Sequence, residues 1–182
     1  MAREKIKFLK IRDVKSPTRA YEFDAGIDFY VPEFNEEFLN DLAEKNQGRD
    51  LVMKDDAIII PAHSRIMIPG GIKCRMAYPG RALIAANKSG VATKHGLVYG
   101  AQVVDYTYKG EIHLSLINTS MLEIKITPGM KILQFVETPI YNSEVEVVDG
   151  TVRQAKSMIE EKFYEGLEDD RGAGGFGSTD KK

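Results

Sequence analysis

Apolar and polar residues alternate with a period of two along much of this chain. Ile112, Leu114 and Leu116 interleave with Glu111, His113 and Ser115; Leu122, Ile124 and Ile126 interleave with Glu123 and Lys125. Successive side chains of a strand point to opposite faces, so this pattern predicts half-buried strands. Shorter apolar runs predict others: Ile6 with Phe8, Leu9 and Ile11, then Ile27 to Val31, Ala57 to Ile60, Arg65 to Ile68 and Ala82 to Ala86. Pro61-Ala62-His63, Pro69-Gly70-Gly71 and Pro79-Gly80 are turn or break signals between or after these runs. Such signals recur about every 8–12 residues, which points to an all-β sandwich, jelly roll or barrel.

Two segments depart from period two. Phe34, Phe38, Leu39, Leu42 and Ala43 fall at helical spacing, with Asn35 placed to cap the start, Glu36 and Glu37 in the first turn and Gly48 placed to close the end. Thr151 to Gly166 is a second candidate helix, with Val152, Ala155, Met158, Ile159 and Phe163 on one face. Neither carries obvious chemistry. The segment 33–56 reads as an insert, expected to be dispensable for catalysis.

The chain has 182 residues, of which 43% are hydrophobic and 29% charged, as expected for a globular protein. Its formal net charge of -2 leaves no large basic field for a nucleic-acid backbone. Its one cysteine, Cys74, excludes an intrachain disulfide and fits a reducing compartment. With no signal-peptide pattern and no apolar stretch of membrane-spanning length, the expectation is a cytoplasmic protein with no membrane partner.

Several short segments carry groups suited to anions and carboxylate chemistry. His63, His95 and His113 have no metal-ligand spacing and read as surface or hydrogen-bonded residues. Lys88-Ser89-Gly90 follows the strand-like run. Leu83 stands where a Walker A loop needs glycine, so the motif is no P-loop, although an anion site or a plain turn would both suit it. Gly100 to Glu111 reads as a hairpin around Tyr106-Thr107-Tyr108. Its backbone could read a base edge, and Asp105 could hold a water. Asp28 follows Gly26-Ile27, where a carboxylate could serve hydrated Mg²⁺ or simply end a turn. Arg171 to Thr179 concentrates an arginine, glycines, Phe176, Ser178 and Thr179, either as a flexible tail or as an anion-gripping segment.

Taken in order, these segments resemble the five motifs of the trimeric all-β dUTPase family. Ala25-Gly26-Ile27-Asp28-Phe29 is similar to the first and Lys88-Ser89-Gly90 to the second. Gly100 through Glu111 is similar to the third, Gly129 through Gln134 to the fourth and Arg171 through Thr179 to the fifth. The resemblance implies a distorted jelly-roll, β-clip fold with one or two added short helices. It implies one β domain over 1–170 and an active-site tail over 171–182. It also implies hydrolysis of dUTP to dUMP and pyrophosphate, which limits uracil in DNA and supplies dUMP for dTMP synthesis.

The same resemblance implies a role for each motif residue. Asp105 would be general base for water attack at the α-phosphorus. Gly100, Ala101, Gln102, Val103, Val104 and Gly110 would bind the nucleotide. Tyr108 would stack on deoxyribose and exclude a 2′-hydroxyl. Lys88, Ser89, Gly90 and Gln134 would hold phosphates, and Asp28 would reach Mg²⁺ through water. Arg171, Phe176, Gly177, Ser178 and Thr179 would close over the substrate, in a homotrimer whose subunits share each site. The chain departs from the family pattern in having Lys88 and Lys109 where arginine is usual and Met130 where an acidic residue is common. The added pieces resemble those of some phage members, for which the location would be the bacterial host cytoplasm. Two rival readings are a dCTP deaminase-like enzyme of the same fold and a nucleotide-gated regulator that binds a protein partner through the 33–56 insert.

Overall fold

A computed structural model describes residues 5–47, 51–149, 158 and 162–165. The chain divides into two compact units, Met1–Asn142 and Ser143–Lys182. In the second, Met158, Lys162 and Phe163 are helical and the rings of Phe163 and Tyr164 meet edge to face. The remainder of the candidate helix over 151–166, apart from the turn at Tyr164 and Glu165, lies outside the described residues. So does the whole Arg171–Thr179 segment.

The first unit is built from strands with two short helices. The strands are β1 (Lys7–Lys10), β2 (Gly26–Tyr30), β3 (Val52–Lys54), β4 (Ala57–Ile60), β5 (Arg65–Arg75), β6 (Arg81–Asn87), β7 (Leu97–Tyr99), β8 (Val103–Asp105), β9 (Ile112–Asn118), β10 (Ile124–Ile126) and β11 (Lys131–Pro139). The helices are α1 (Glu36–Lys45) and α2 (Ser89–His95). One sheet has the order β1-β5-β9-β7, a second β10-β4-β3, and a third β2-β11-β6-β8. Each strand expected from alternation or an apolar run is present. In β9 buried positions alternate with half-buried ones along its whole length. The core gathers residues from all three sheets, among them Ile58, Ile68, Leu83, Leu114 and Leu116. Phe29 of β2 joins two of those sheets: its ring meets Phe8 of β1 edge-on at 5.6 Å and Phe135 of β11 at 4.7 Å. Among the described residues, no helix is long and apolar enough to cross a membrane.

The Pro69-Gly70-Gly71 break signal is not a break. β5 runs through it, and the ladder with β9 shifts register between Pro69 and Ile72. A bulge accommodates the proline and lets the strand continue on both sides. Gly71 takes a φ of 69°, and a Cβ there would press on Val14, Arg12 and Pro32. The bulge turns the Gly71 N–H out of the ladder toward the Glu111 carboxylate, 2.6 Å away.

α1 forms where the sequence places it, and Asn35 caps it by accepting from the Phe38 N–H at 2.9 Å. It closes two residues before Gly48, the expected closing residue, which lies outside the described residues. Asn46, not Gly48, is its C-terminal cap. The reason is tertiary: buried Asn46 donates to the carbonyls of Leu42 and Met67, at 2.7 and 2.8 Å, and accepts from the Met67 N–H at 2.9 Å. One side chain thus closes the helix and ties it to β5. Phe38 and Leu42 are fully buried on the same face. Arg12 makes a second tie. It holds both oxygens of Glu111 through Nε and Nη2 at 2.9 and 3.0 Å. The same guanidinium pairs with Asp41 and lies 3.5 Å from Glu37, both on α1. The insert is therefore bonded into the β framework by polar groups as well as by packing.

Two outcomes follow from these ties. Asn46→Ala strips a donor from two carbonyls and an acceptor from a backbone N–H, and unmet buried partners cost about 1–3 kcal/mol each. The variant should lose about 2–4 kcal/mol in urea unfolding; a loss under about 0.5 kcal/mol would mean that water replaces the amide. Glu111 concerns pH. Burial alone would raise its pKa, but the bonds from Arg12 and the Gly71 N–H outweigh burial and hold it below its ordinary 4.5. A carboxylate depressed in the folded state stabilises above its unfolded pKa and loses that contribution as pH falls through the folded value. Glu111→Gln should therefore be less stable than the parent at neutral pH. The gap should close as pH drops below about 4.5, and a gap independent of pH would rule out this ion pair as its source.

Candidate active site

Two clusters of the expected residues form along the third sheet, with Asp105 and Lys88 at opposite ends of β6. The first gathers around Asp28. Gln134 of β11 pairs with Asp28 on one side and with Ala86 on the other. Its amide donates to the Asn87 carbonyl at 2.7 Å. Lys88 comes directly after β6 and Ser89 and Gly90 open α2. The sequence leaves an anion site or a plain turn open here, and Ser89–His95 form the short helix α2. Its first-turn N–H groups lack acceptors within the helix, which suits an anion.

Asp28 is buried, and its carboxylate is held by Lys88 and, at 3.3 Å, by Lys131. Among the described residues no three His, Cys, Asp or Glu side chains gather as metal ligands. A lone carboxylate already engaged by two ammonium groups does not fit a metal cage built by the protein. It leaves room only for an ion that arrives with its own ligands. Lys131 had no assigned role in the sequence reading. Its approach to Asp28 depends on the β2–β11 register, where Lys131 lies opposite Tyr30, and only a turn before an apolar strand hinted at it.

The second cluster is the third-motif segment. It is not a paired hairpin. β8 joins β6 in the third sheet, whereas β7 and β9 pair in the first. Gly100, Ala101 and Gln102 carry the chain between sheets, anchored by Gly100 N–H to Ser115 O at 2.8 Å and Ala85 N–H to Gln102 O at 2.7 Å. Of Val103, Val104 and Asp105, only Val104 is buried. Asp105 is exposed, and its carbonyl accepts from the Tyr108 N–H at 3.1 Å, closing a tight turn. The Tyr108 hydroxyl donates to the Glu111 carbonyl at 2.8 Å. Its ring then covers Gly110, where an added Cβ would lie 2.4 Å from the hydroxyl oxygen. Only glycine admits this ring position. Beside the turn, a cavity of about 740 Å³ is lined by Phe8, Lys73, Cys74, Arg75, Tyr106 and Tyr108, with Lys7 and Lys109 among its further cations.

Within a single chain, Asp105 and Lys88 stand apart, although Gln102 lies beside Ala85 and Tyr99 beside Asn87. Asp105 lies opposite Ala82 at the start of β6, while Lys88 follows the end of that strand. At about 3.3 Å per residue, the strand from Ala82 to Lys88 spans about 20 Å.

The pattern of the dUTPase family matches residues 35–180. The chain is 31% identical over 175 residues to the deoxyuridine 5′-triphosphate nucleotidohydrolase of Yarrowia lipolytica, covering 96% of this chain and 87% of that one. It is 30% identical to the enzyme of the same name from Pseudomonas aeruginosa, over 85% of this chain and 89% of the other. Among solved structures, a mutant of the phage 80alpha dUTPase superposes with a TM-score of 0.67 at 18% identity, covering 96% of this chain and 98% of that one. A mutant dUTPase from phage phi11 of S. aureus, described with a structural Mg(II) ion, gives 0.62 at 17% identity over 80% of this chain and 97% of the other. The sheets, the order of the motifs and these relatives agree: the chain belongs to the dUTPase family.

Proposed function

We infer that this protein hydrolyses dUTP to dUMP and pyrophosphate, at sites completed between copies of the chain in a homotrimer. The observation that carries the shared site is the length of β6. The phosphates of a nucleotide lie only a few bonds from its α-phosphorus, so Lys88 and Asp105 of one chain cannot serve the same molecule across about 20 Å. A neighbouring copy that brings its Asp105 turn to this chain's Lys88 cluster removes the difficulty. Closed symmetry then repeats the arrangement at every interface.

In this arrangement Asp105 accepts a proton from water as the water oxygen bonds to the α-phosphorus. The bond from that phosphorus to the bridging oxygen breaks, and pyrophosphate leaves with the electron pair. An exposed carboxylate beside a tight turn is free to hold such a water. The backbone from Gly100 to Val104, with Gly110 leaving room for the ring, presents groups to uracil, and Tyr108 lies against deoxyribose. Lys88, Ser89, Gly90 and Gln134 receive phosphate oxygens. Charge neutralisation and positioning are most of what phosphoryl transfer asks of a protein. Asp28 would reach a triphosphate-bound Mg²⁺ through water, and that ion would supply further charge neutralisation. Arg171, Phe176, Gly177, Ser178 and Thr179 close over the nucleotide. A dCTP deaminase-like reaction is disfavoured by Asp105 in the base position and by the intact fifth motif. A nucleotide-gated partner for the insert would be compatible with hydrolysis.

Pyrophosphate release from dUTP should require Mg²⁺ and far exceed release from dCTP or UTP; ammonia from dCTP would overturn the reading. Discrimination by a hydrogen-bonding site reaches about 10⁴–10⁵. Asp105→Asn should lower turnover about 10²–10⁴-fold with nucleotide binding retained. The shared site has its own test. Asp105→Asn and Lys88→Ala, each impaired alone, should regain activity when unfolded and refolded together, because about a quarter of randomly assembled sites receive both intact residues. Mixed chains as inactive as their parents would place both residues in one chain's site. For the tail, Phe176→Trp installs the chain's only indole. Its emission should change with a slowly hydrolysed dUTP analogue, and an unchanged signal at saturation would remove the tail from the base.

A further inference from the structure

The insert is joined to the third-motif turn by an unbroken series of charged and hydrogen-bonded groups. Glu37 and Asp41 of α1 meet the Arg12 guanidinium, which holds both oxygens of Glu111, whose carbonyl receives the Tyr108 hydroxyl. Arg12 is 7% exposed and the Glu111 side chain 12%. A buried ion pair is a costly way to fill space, and a well-packed apolar pair would serve stability as well. What the pair supplies is direction. A guanidinium gripping a carboxylate at two points fixes the plane of both groups. The Gly71 N–H holds the same carboxylate from the β5 bulge. Glu111 is thereby held from two sides, and its backbone carbonyl is fixed in place as the acceptor for Tyr108. Gly110, under the Tyr108 ring, leaves the space that this ring position needs.

We propose that Arg12 is a positioning residue for nucleotide selection: through Glu111 it fixes the Tyr108 ring, and Asp41 and Glu37 of the insert set the position of Arg12. The proposal rests on the hydrolase reading, in which Tyr108 lies against deoxyribose and leaves no room for a 2′-hydroxyl. It assigns α1 a part in specificity rather than in the chemical step. α1 contributes no group to the nucleotide. Its acidic face decides where the guanidinium sits, and a guanidinium shifted toward solvent would let Glu111 and the ring relax together. An insert that merely anchors the fold would affect stability and leave the choice of sugar untouched.

The experiment measures kcat and KM for dUTP and UTP, the melting temperature, and the binding of dUMP and UMP. It uses the full-length protein, the double variant Glu37→Gln/Asp41→Asn and the variant Arg12→Lys. Coupling through such a network is commonly worth a factor of roughly two to thirty. The double variant should narrow the dUTP-to-UTP ratio of kcat/KM roughly three- to tenfold, chiefly through KM, with kcat for dUTP nearly kept. Arg12→Lys keeps the charge, loses the planar fork and should narrow the ratio at least as much. The dUMP-to-UMP binding ratio should narrow in parallel. Ratios within about twofold of the parent in both variants, whether or not the melting temperature falls, would overturn the proposal and leave the network a structural anchor. An unaltered protein that fails to turn over dUTP would overturn the hydrolase reading instead, and the dUMP-to-UMP binding ratios would then decide the role of Arg12 alone.

Discussion

β6 cannot be shortened, and much of the architecture follows from that. It lies between β11 and β8 in the third sheet, and its ladder holds Asp105 at one end and the Lys88 cluster at the other. A hydrogen-bonded strand in the middle of a sheet is among the least deformable objects a chain can make, so no loop motion within one copy brings these ends together. The same strand anchors the crossing segment, because the Ala85 N–H bonds the Gln102 carbonyl. The two groups of functional residues are thus each placed firmly and placed apart.

The second organising element is the half-buried carboxylate of Glu111. It sits where the β5 bulge, the Arg12 loop and the start of β9 converge, and it is satisfied by a backbone N–H and a guanidinium. Leaving that half-buried charge without those partners would be costly. The bulge, the glycine at positive φ and the insert's acidic face are therefore mutually dependent. Arg12 accordingly keeps its proton more tightly than an exposed arginine, chiefly through its bond to Glu111 and despite the opposing effect of burial.

Much of this was legible in the chain before its structure. The alternation in 111–116 is local and strong and produced β9, whereas of 122–126 only Ile124–Ile126 became β10, with Leu122 exposed before it. Asn35, Glu36 and Phe38 announced the start of α1 because capping is decided within one turn. What escaped was decided at long range. Asn46 ends α1 because Met67, 21 residues away, offers its backbone. Pro69-Gly70-Gly71 looked like a break because a bulge and a turn use the same residues, and only β9 distinguishes them. The supposed hairpin divides between two sheets because β6 and β5 are better partners for its arms than the arms are for each other. In the candidate active site, residue types were readable, but the partners of Asp28 were not: Lys88 is 60 positions away, and for Lys131 a turn before an apolar strand was the one local sign.

Asp28 gives the Lys88 cluster a standing counter-charge. Lys88 and Lys131 would repel each other if left alone, and the carboxylate between them keeps both ammonium groups in the same small volume. It is in effect a tethered stand-in for an anion. Under the proposed reading, a phosphate entering there would not meet bare positive charge; it would enter an exchange with a resident that never diffuses away. Such an exchange lowers the gain from binding any anion and penalises departure less, since the lysines have a neighbour to return to. If Lys88 receives phosphate as proposed, such a built-in competitor would trade grip for turnover.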